Sequence, residues 1–174
     1  AAEGPDRHPM TDEPHRAAFL REMRALYPRV WRYCYALSAA ADDASDLAQS
    51  TMVRGLEHAA TFRPGMPLDR WLFTLARRLW LNDRRSARQR AGVSAVGPAG
   101  LDVADGRPDV VSTIVAGEVF ASVMALPPAQ RETVLLVYVE GYTYREAAEL
   151  LAIPIGTVMS RLAAARASIA RVHR

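Results

Sequence analysis

GYTYREAAELLAIPIGTVMSRL, residues 141–162, contains two short helical patterns that meet at a tight turn. Thr143 and Glu146 have the spacing of a capping box, which predicts that the first helix begins near Tyr144. Pro154 cannot continue that helix and suits the first turn of the next one. The turn is therefore predicted at residues 152–154 and the second helix from about residue 155 to 172. Two helices joined in this way form a helix-turn-helix.

The second helix of this motif is basic on its exposed side. From residue 155 to the end of the chain the charged residues are four arginines and no acid: Arg161, Arg166, Arg171 and Arg174. The apolar positions share another face: Val158, Leu162, Ala165 and Ile169. The basic side can approach phosphate without repulsion, which favours binding to DNA. Many helical hairpins with this pattern bind nothing, so a purely structural hairpin is the alternative.

The composition is that of a folded globular protein with one domain or two small ones. Of 174 residues, 50% are hydrophobic and 24% are charged, and the net charge is +3. These proportions exclude a disordered chain. All 22 basic residues are arginine. An absence of lysine is typical of a GC-rich coding bias, so the placement of the arginines is more informative than their number.

Several classes of function find no support in the chain. Cys34 is the only cysteine, which excludes an internal disulfide, and its apolar surroundings argue against a redox role. The four histidines lack ligand spacing, so we expect no metal. No glycine-rich phosphate loop or activated nucleophile is present, so we expect no catalytic residue, no cofactor and no enzyme. Neither a membrane-spanning run nor a signal peptide is found, which predicts a cytoplasmic protein without membrane insertion.

Helical spacing recurs along the chain and no segment alternates apolar and polar residues for long, so we predict an all-α fold. The predicted organisation is two small helical domains joined by a flexible linker, with the helix-turn-helix in the C-terminal domain. Residues 1–14 are expected to be disordered or an appended remnant, 15–90 form the first domain, 91–110 a linker rich in glycine and proline, and 111–174 the second domain. Helices are predicted at 15–39 with a kink or break near Pro28, 42–60, 69–90, 111–125 and 129–140.

The predicted third helix combines aromatic rings with arginines. Trp71, Leu72, Leu75 and Leu79 share the face expected to point inward, and a second stripe contains Phe73, Arg77, Trp80 and Arg84. This second stripe suits single-stranded nucleic acid, because a base stacked on a ring contributes about 1–3 kcal/mol while guanidinium groups hold the backbone. For each ring the alternative is that it fills a core.

The predicted second helix has a polar face beside apolar residues. The polar residues are Asp46, Gln49 and Arg54, and the apolar set is Leu47, Thr51 and Leu56. Such a face could dock a protein partner or be an ordinary solvated surface, and periodicity does not distinguish the two.

Taken in order, these segments resemble the extracytoplasmic-function class of bacterial sigma factors, the promoter-recognition subunits of RNA polymerase. DDASDLAQST (42–51) resembles the family's core-polymerase-binding helix. FRPG (62–65) with RWLFTLAR (70–77) resembles its promoter-melting segment. LPPAQRE (126–132), GYTYREAA (141–148) and GTVMSRL (156–162) resemble its fourth region. The resemblance extends from about Phe19 to Val172.

The resemblance implies an initiation factor that binds core RNA polymerase, directs it to specific promoters, melts promoter DNA and is held inactive by an anti-sigma factor. The implied partners are the beta-prime clamp helices, the beta flap, promoter DNA and that anti-sigma factor. Residues 15–90 would then be region 2 and residues 111–174 region 4.

The site residues follow from the same resemblance. For core polymerase they are Asp43, Asp46, Leu47, Gln49, Ser50, Val53 and Arg54. For the minus-ten element they are Phe62, Arg63, Pro64, Gly65, Arg70, Trp71, Phe73, Arg77, Arg78, Trp80, Arg84 and Arg85. For the minus-thirty-five element they are Tyr144, Arg145, Thr157, Val158, Met159, Ser160, Arg161, Ala164 and Arg166.

Some positions depart from the family pattern. Met159, Ala163 and Ala164 stand where members often carry a basic or large residue, so we hypothesise that minus-thirty-five preference rests heavily on backbone geometry and DNA shape. Arg78 replaces a frequent asparagine, which leaves the identity of the captured base open.

Two further alternatives follow from the domain organisation. The chain could be a stand-alone repressor or activator that uses only its helix-turn-helix, although the aromatic and arginine stripe argues against this. Two small domains on a tether could also fold against each other and hide both DNA surfaces.

Overall fold

The computed structural model describes residues 13–63, 65–90 and 114–172, and within these ranges it is helical with no strand. The helices are α1 (Glu13–Ser38), α2 (Ala41–Glu57), α3 (Leu68–Arg90), α4 (Ile114–Met124), α5 (Pro128–Val134), α6 (Tyr144–Leu151) and α7 (Ile155–Val172). A 3-10 turn, Ala59–Thr61, follows α2, and a π-helical turn, Leu135–Val139, continues α5. The all-α prediction is confirmed. The predicted linker lies outside the described residues.

Helices α1, α2 and α3 pack against one another as an N-terminal bundle. Its core is supplied by apolar residues at helical spacing: Phe19, Met23, Val30, Tyr33, Cys34, Ala44, Leu47, Ala48, Leu68, Leu72, Phe73 and Ala76. Gly55 allows α2 to approach its neighbours closely, since a Cβ at this position would lie 2.8 Å from Met23 Cε and 3.1 Å from Leu72 Cδ2. The same spacing that predicts the helices thus also positions their buried faces.

The expected interruption of α1 near Pro28 is not observed, and the helix continues from Glu13 to Ser38. Proline lacks the N–H that would bond one turn earlier, which disfavours it inside a helix. Met23 and Val30, on either side of Pro28, are both buried in the bundle core. Packing of the two flanking turns therefore holds the helix together across the lost hydrogen bond.

Helices α4 to α7 form a C-terminal bundle in which α7 packs on α4, α5 and α6. Thr143 caps α6: its side chain accepts a hydrogen bond from the Glu146 amide, and the Glu146 carboxylate accepts one from the Thr143 amide. The Thr143 hydroxyl also donates to the Glu146 carboxylate at 2.7 Å, and this bond, together with the one from the Thr143 amide, lowers the pKa of Glu146. The predicted capping box, turn and start of α7 are confirmed.

The angle at the helix-turn-helix is set by the short turn between α6 and α7. Ala152 ends α6 in the left-handed conformation, with φ of 53°, and α7 leaves at a bend of 106°. In the part of the chain described here, no single helix is long and apolar enough to cross a membrane. The α6–α7 pair reaches that length and composition only across this bend.

The two bundles are in contact. Helix α1 packs on α5 and on the π-helical turn, and α3 packs on α6. The surfaces of α1 and α3 that would otherwise face solvent are thereby covered by the C-terminal bundle.

Candidate nucleic-acid interface

The polar face of α2 is open to solvent. Six of the seven residues predicted to bind polymerase are exposed: Asp43, Asp46, Gln49, Ser50, Val53 and Arg54. The seventh, Leu47, is buried in the bundle core, and its contact with a partner stays a prediction. Val53 and Leu56 are exposed large apolar side chains on this helix. The face therefore combines exposed charge with apolar area, as protein docking surfaces do.

The segment before α3 is anchored by aromatic packing. Phe62 lies between Phe19 and Trp71, with ring centroids 5.7 Å and 5.3 Å away. Arg63 and Gly65 are exposed, and Gly65 has a φ of 87°, which glycine adopts without strain. Pro64, also predicted to contact DNA, lies outside the described residues. Phe62 and Trp71 are partly buried, so they position the exposed tip of this segment.

Phe73 does not lie on an exposed stripe. Its ring has no solvent exposure. It stacks on Tyr33 at 4.6 Å, with the Arg29 guanidinium 5.9 Å and the Tyr142 ring 6.1 Å from its centroid. Phe73 is buried because α3 packs on α1 and also faces the C-terminal bundle, and its contact with DNA stays a prediction.

The second half of α3 keeps the predicted combination of ring and arginine. The Arg84 guanidinium lies 5.3 Å from the centre of the partly buried Trp80 ring. Arg78 and Arg85 are exposed on the same helix. This end of α3 presents positive charge beside an aromatic ring, the combination that single-stranded nucleic acid requires.

Helix α7 presents an outward face with little charge. Met159, Ser160, Ala163, Ala164 and Arg166 are exposed, as is Arg145 of α6, while Tyr144 and Thr157 are partly buried. The Ser160 hydroxyl donates to the Thr157 carbonyl at 3.0 Å, inside the helix. Arginines at the edges of this face could therefore bind phosphate, while the side chains at its centre are mostly small or apolar.

Two residues predicted to contact the minus-thirty-five element point inward. Val158 has no solvent exposure and belongs to the core of the C-terminal bundle. Arg161 is partly buried beside Glu132, and its Nη1 is buried with no hydrogen-bond partner among the described residues. Burial lowers the pKa of Arg161, and the charge of Glu132 opposes that shift. Both positions point inward because they follow the apolar stripe of α7, and their contacts with DNA stay predictions.

A buried carboxylate joins the two bundles. Glu132 of α5 accepts a hydrogen bond of 2.6 Å from the Tyr33 hydroxyl and pairs with Arg77 Nε at 3.1 Å. Burial raises the pKa of Glu132, although Arg77, Tyr33 and Arg161 act in the opposite direction. Burial also raises the pKa of Tyr33 well above its ordinary value. Arg77, predicted to hold DNA, is therefore engaged by an acid of the other bundle.

Two further acids of the C-terminal bundle hold arginines of the N-terminal bundle. Glu140 pairs with Arg29 at 2.6 Å and with Arg32 at 3.0 Å. Arg29 also pairs with Asp69 at 2.8 Å. Burial of the Arg29 guanidinium lowers its pKa, but Glu140 and Asp69 together raise it by more, so the pKa of Arg29 is raised. Glu149 pairs with Arg70 at 2.6 Å.

Arg131 binds backbone carbonyls from both bundles. Its Nε donates to the Ala36 carbonyl and its Nη2 to that of Leu37 at 3.3 Å, both at the end of α1. Its Nη1 donates to Met124 at 2.7 Å within its own bundle. Burial lowers the pKa of this guanidinium. A cation at the carbonyl end of a helix is favourably placed, so Arg131 helps hold α1 against the C-terminal bundle.

The sequence patterns alone assign no role to Glu132, Glu140, Glu149 or Arg131. The available signal is the pair Arg131 and Glu132, which stands in an otherwise uncharged helical segment between Ala129 and Val139. Charged residues in such a segment need a buried partner. The sequence does not indicate that the partner comes from a helix about a hundred residues earlier.

The described residues contain no cluster of histidine, cysteine or acidic side chains that could hold a metal. Cys34 is buried, and burial raises the pKa of its thiol to about 12. A thiol in this state is a poor nucleophile at neutral pH.

The chain matches two family models, Sigma-70 region 2 over residues 23–90 and Sigma-70 region 4 over residues 118–169. It is 32% identical over 148 residues to the ECF RNA polymerase sigma factor EcfG of Rhodopseudomonas palustris, covering 85% of this chain and 81% of that one. It is 34% identical over 146 residues to the ECF RNA polymerase sigma factor SigL of Mycobacterium tuberculosis, covering 80% and 82% of the two chains.

Solved structures share the fold. The sigma factor RpoE of Bartonella quintana, solved in complex with the anti-sigma factor NepR, matches with a TM-score of 0.69 at 24% identity over 87% of this chain and 94% of that one. CnrH, solved with the cytosolic domain of CnrY, matches with a TM-score of 0.58 at 18% identity over 95% and 91%. With both regions matched in order along one helical chain, this protein belongs to the ECF RNA polymerase sigma factors.

Proposed function

We propose that this chain binds core RNA polymerase through α2 and directs it to promoters through α3 and α7. One observation carries the proposal: a single chain presents an exposed, mixed polar and apolar face on α2 together with a helix-turn-helix whose second helix faces outward. Residues 15–90 would act as region 2 and residues 111–174 as region 4. The chain itself would supply binding energy and no catalysis, and it would work in the cytoplasm beside the polymerase.

The α2 face would meet the beta-prime clamp helices, and the C-terminal bundle would contact the beta flap. Asp43, Asp46 and Arg54 are exposed charges that a complementary surface could pair, and Val53 is 54% exposed and offers apolar area beside them. Interfaces gain most of their energy from apolar residues surrounded by polar ones, and the charges select the partner.

The two DNA elements would be bound by different physical means. The exposed residues Arg63, Arg78 and Arg85 with the Trp80–Arg84 pair suit the unpaired strand of the minus-ten element. The outward face of α7, with Arg166 beside Met159 and Ala164, suits a groove read by shape at the minus-thirty-five element. Flipping a base out of the duplex costs a few kcal/mol, which stacking and arginine contacts must offset.

An anti-sigma factor would hold the protein inactive. RpoE of Bartonella quintana was solved in complex with the anti-sigma factor NepR, and CnrH with the cytosolic domain of CnrY. For this chain, the exposed α2 face is the surface we expect such a partner to cover, because covering it would exclude the polymerase.

Size-exclusion chromatography with core RNA polymerase at moderate salt tests the proposal directly. We expect the wild-type chain to co-elute, and Asp46→Arg to weaken the complex by roughly tenfold or more because it reverses an exposed charge in the docking face. We expect Arg84→Ala with Arg85→Ala to co-elute normally and to lose open-complex formation on DNA fragments selected by the wild-type holoenzyme.

Glu22→Arg is the matched control, since Glu22 is an exposed acid on α1, away from the proposed face. It should leave both activities unchanged. Failure of the wild-type chain to co-elute, together with tight duplex binding in the absence of polymerase, would favour a stand-alone regulator. Equal loss of both activities in both variants would contradict the proposed division between α2 and α3.

A further inference from the structure

The N-terminal half of α7 exposes a row of apolar side chains. Ile155 is 44% exposed, Met159 is 49% exposed, and Ala163 is exposed as well. A spacing of four residues places these three side chains next to one another along the helix. In a helix-turn-helix, the N-terminal residues of the second helix are the ones that reach the base edges in the major groove. The row therefore stands where direct reading of the sequence would take place.

The same part of α7 lacks the side chains that usually identify a base by hydrogen bonding. In the major groove, arginine or lysine specifies guanine, asparagine or glutamine specifies adenine, and an acid specifies cytosine. Between residues 155 and 165 the sequence contains none of these types except Arg161. Arg161 is partly buried and lies beside Glu132, on the inward side of the helix. The usual means of recognising guanine, adenine or cytosine are thus missing from the exposed surface.

The hydroxyl groups of this segment do not replace them. The Ser160 hydroxyl donates its hydrogen to the Thr157 carbonyl at 3.0 Å, inside the helix, and Thr157 itself is partly buried. The exposed arginines stand at the edges of the surface, Arg145 on α6 and Arg166 further along α7. Arginines at the edges can pair with phosphates and hold the row against the bases, but such contacts carry no sequence information.

Thymine is the base that marks the major groove with an apolar group. Its C5 methyl projects into the groove, where apolar side chains recognise it by contact. The side chains of Ile155 and Met159 offer hydrocarbon and a thioether to such a methyl, and the flanking arginines offer positive charge to the backbone on either side. The chemistry of this surface therefore matches duplex DNA that contains thymine.

We propose that Ile155 and Met159 determine specificity at the minus-thirty-five element by contacting the C5 methyl groups of thymines. The inference rests on the proposed function and deepens it, because it adds a base-specific contact to a groove otherwise read by its shape. The two kinds of readout are separable. Uracil differs from thymine only in lacking the methyl group and pairs with adenine in the same way, so its substitution removes the contact and keeps the base pair.

The test uses the holoenzyme formed from the full chain and core RNA polymerase. Promoter fragments are first selected by this holoenzyme from a library randomised at the minus-thirty-five position. Each thymine of the selected element, on either strand, is then replaced singly by deoxyuridine, and the affinity of the holoenzyme for each duplex is measured. We expect a loss of about three- to fivefold at one or two thymines, which is roughly the contribution of one buried methyl group, and less than about 1.5-fold elsewhere.

Truncation of the side chains shows whether α7 contacts those methyl groups. In Met159→Ala or Ile155→Ala, a loss seen with the wild-type chain should shrink below about 1.5-fold, because the side chain that met the methyl is gone. Both side chains are about half exposed, so both variants should fold as the wild-type chain does. Val139→Ala is the matched control, since it truncates an apolar side chain that is 56% exposed and lies outside the helix-turn-helix. It should keep every loss.

Losses that disappear in an α7 variant and persist in the control support the inference. Absence of any loss with deoxyuridine overturns it, because recognition would then rest on shape alone. Equal losses in all variants also overturn it, since the methyl would then act through the duplex and not through α7, and so does a selected element without an A·T pair. If the wild-type chain forms no holoenzyme that selects DNA, the proposed function itself is contradicted, and this inference falls with it.

Discussion

At the scale of single residues, Glu132 illustrates the desolvation cost of burying a carboxylate between the two bundles. Its carboxylate is buried, and burial raises its pKa despite the hydrogen bond from Tyr33 and the charges of Arg77 and Arg161. A buried charge is tolerated only while its partners stay in place, and removing one partner leaves an uncompensated ion. The docked state therefore contains one group that would be more stable neutral.

The buried carboxyl of Glu132 makes stability depend on pH in a predictable way, and an uncharged isostere removes that dependence. The pKa of Glu132 in the folded state lies above its ordinary value of 4.5, so its stabilising contribution is fully present below that value and is lost as the pH rises through the raised pKa. Relative to Glu132→Gln, the wild-type chain should lose free energy of unfolding as the pH rises from about 4 to about 8.

Urea denaturation of both chains across that range measures the difference. The glutamine side chain can still accept the hydrogen bond from Tyr33, so the variant should fold normally. Glu22→Gln, at an exposed position, should show no such trend. The result would contradict this prediction if the free energy of unfolding of the wild-type chain, relative to Glu132→Gln, stayed constant or increased as the pH rises. The ion pair with Arg77 would then outweigh the cost of burying the carboxylate.

At the scale of elements, the helix-turn-helix is determined by local chemistry at both ends of its turn. The Thr143 and Glu146 capping box starts α6, and Pro154 precedes α7. Between them Ala152 adopts a left-handed conformation with φ of 53°, which costs an L residue with a side chain about 1–2 kcal/mol. The turn thus stores strain at the point that sets the 106° bend.

Ala152→Gly should relieve that strain. Glycine adopts the left-handed conformation freely but loses more entropy on folding, so we expect a net gain of about 0.5–1 kcal/mol in the free energy of unfolding. Ala163→Gly, at an exposed position inside α7, is the matched control and should lower it by about 1 kcal/mol. Thermal or urea unfolding gives both values, and a loss of stability in Ala152→Gly would contradict the strain argument.

At the scale of the whole molecule, the chain consists of two helical bundles whose contact combines apolar packing with ion pairs. One hydrophobic cluster extends through both bundles, and the rings of Tyr35 and Phe120 and of Phe73 and Tyr142 meet across the contact. Four acid–arginine pairs and the carbonyl bonds of Arg131 add to it. Salt screens exposed ion pairs strongly and apolar packing hardly at all. Among the pairs between the bundles, Arg70–Glu149 is therefore the one that salt should weaken most, because both of its side chains are open to solvent, whereas Glu132 and Glu140 are buried.

Raising ionic strength should open the molecule without unfolding it. Between low salt and roughly 0.5 M sodium chloride we expect the radius of gyration to increase, because salt weakens the attraction between the solvent-exposed charges of the two bundles, Arg70 and Glu149 above all. Helix content measured by far-ultraviolet circular dichroism should stay constant over the same range. A constant radius of gyration would indicate that apolar contacts such as Phe73 with Tyr142 hold the bundles together.

Most of the secondary structure could be predicted from sequence because its signals are local, whereas the burial of individual side chains could not. Phe73, Leu47 and Arg161 occupy helix faces that the pattern allowed to be either buried or exposed, and packing buried them wholly or in part. Pro28 was expected to interrupt α1, and packing on either side of it prevented this. Periodicity identifies a face but does not identify what covers it.

The amino-acid sequence by itself determined the helices, the helix-turn-helix with its cap and turn, and the match to sigma regions 2 and 4, because each depends on residues close together in the chain. Only the tertiary structure decided that Glu132 meets Tyr33 and Arg77 and that Glu149 meets Arg70. These pairs join residues 55 to 99 positions apart, and no local pattern records such a distance. The same packing decided which predicted DNA contacts stay exposed, since exposure depends on what the rest of the molecule covers.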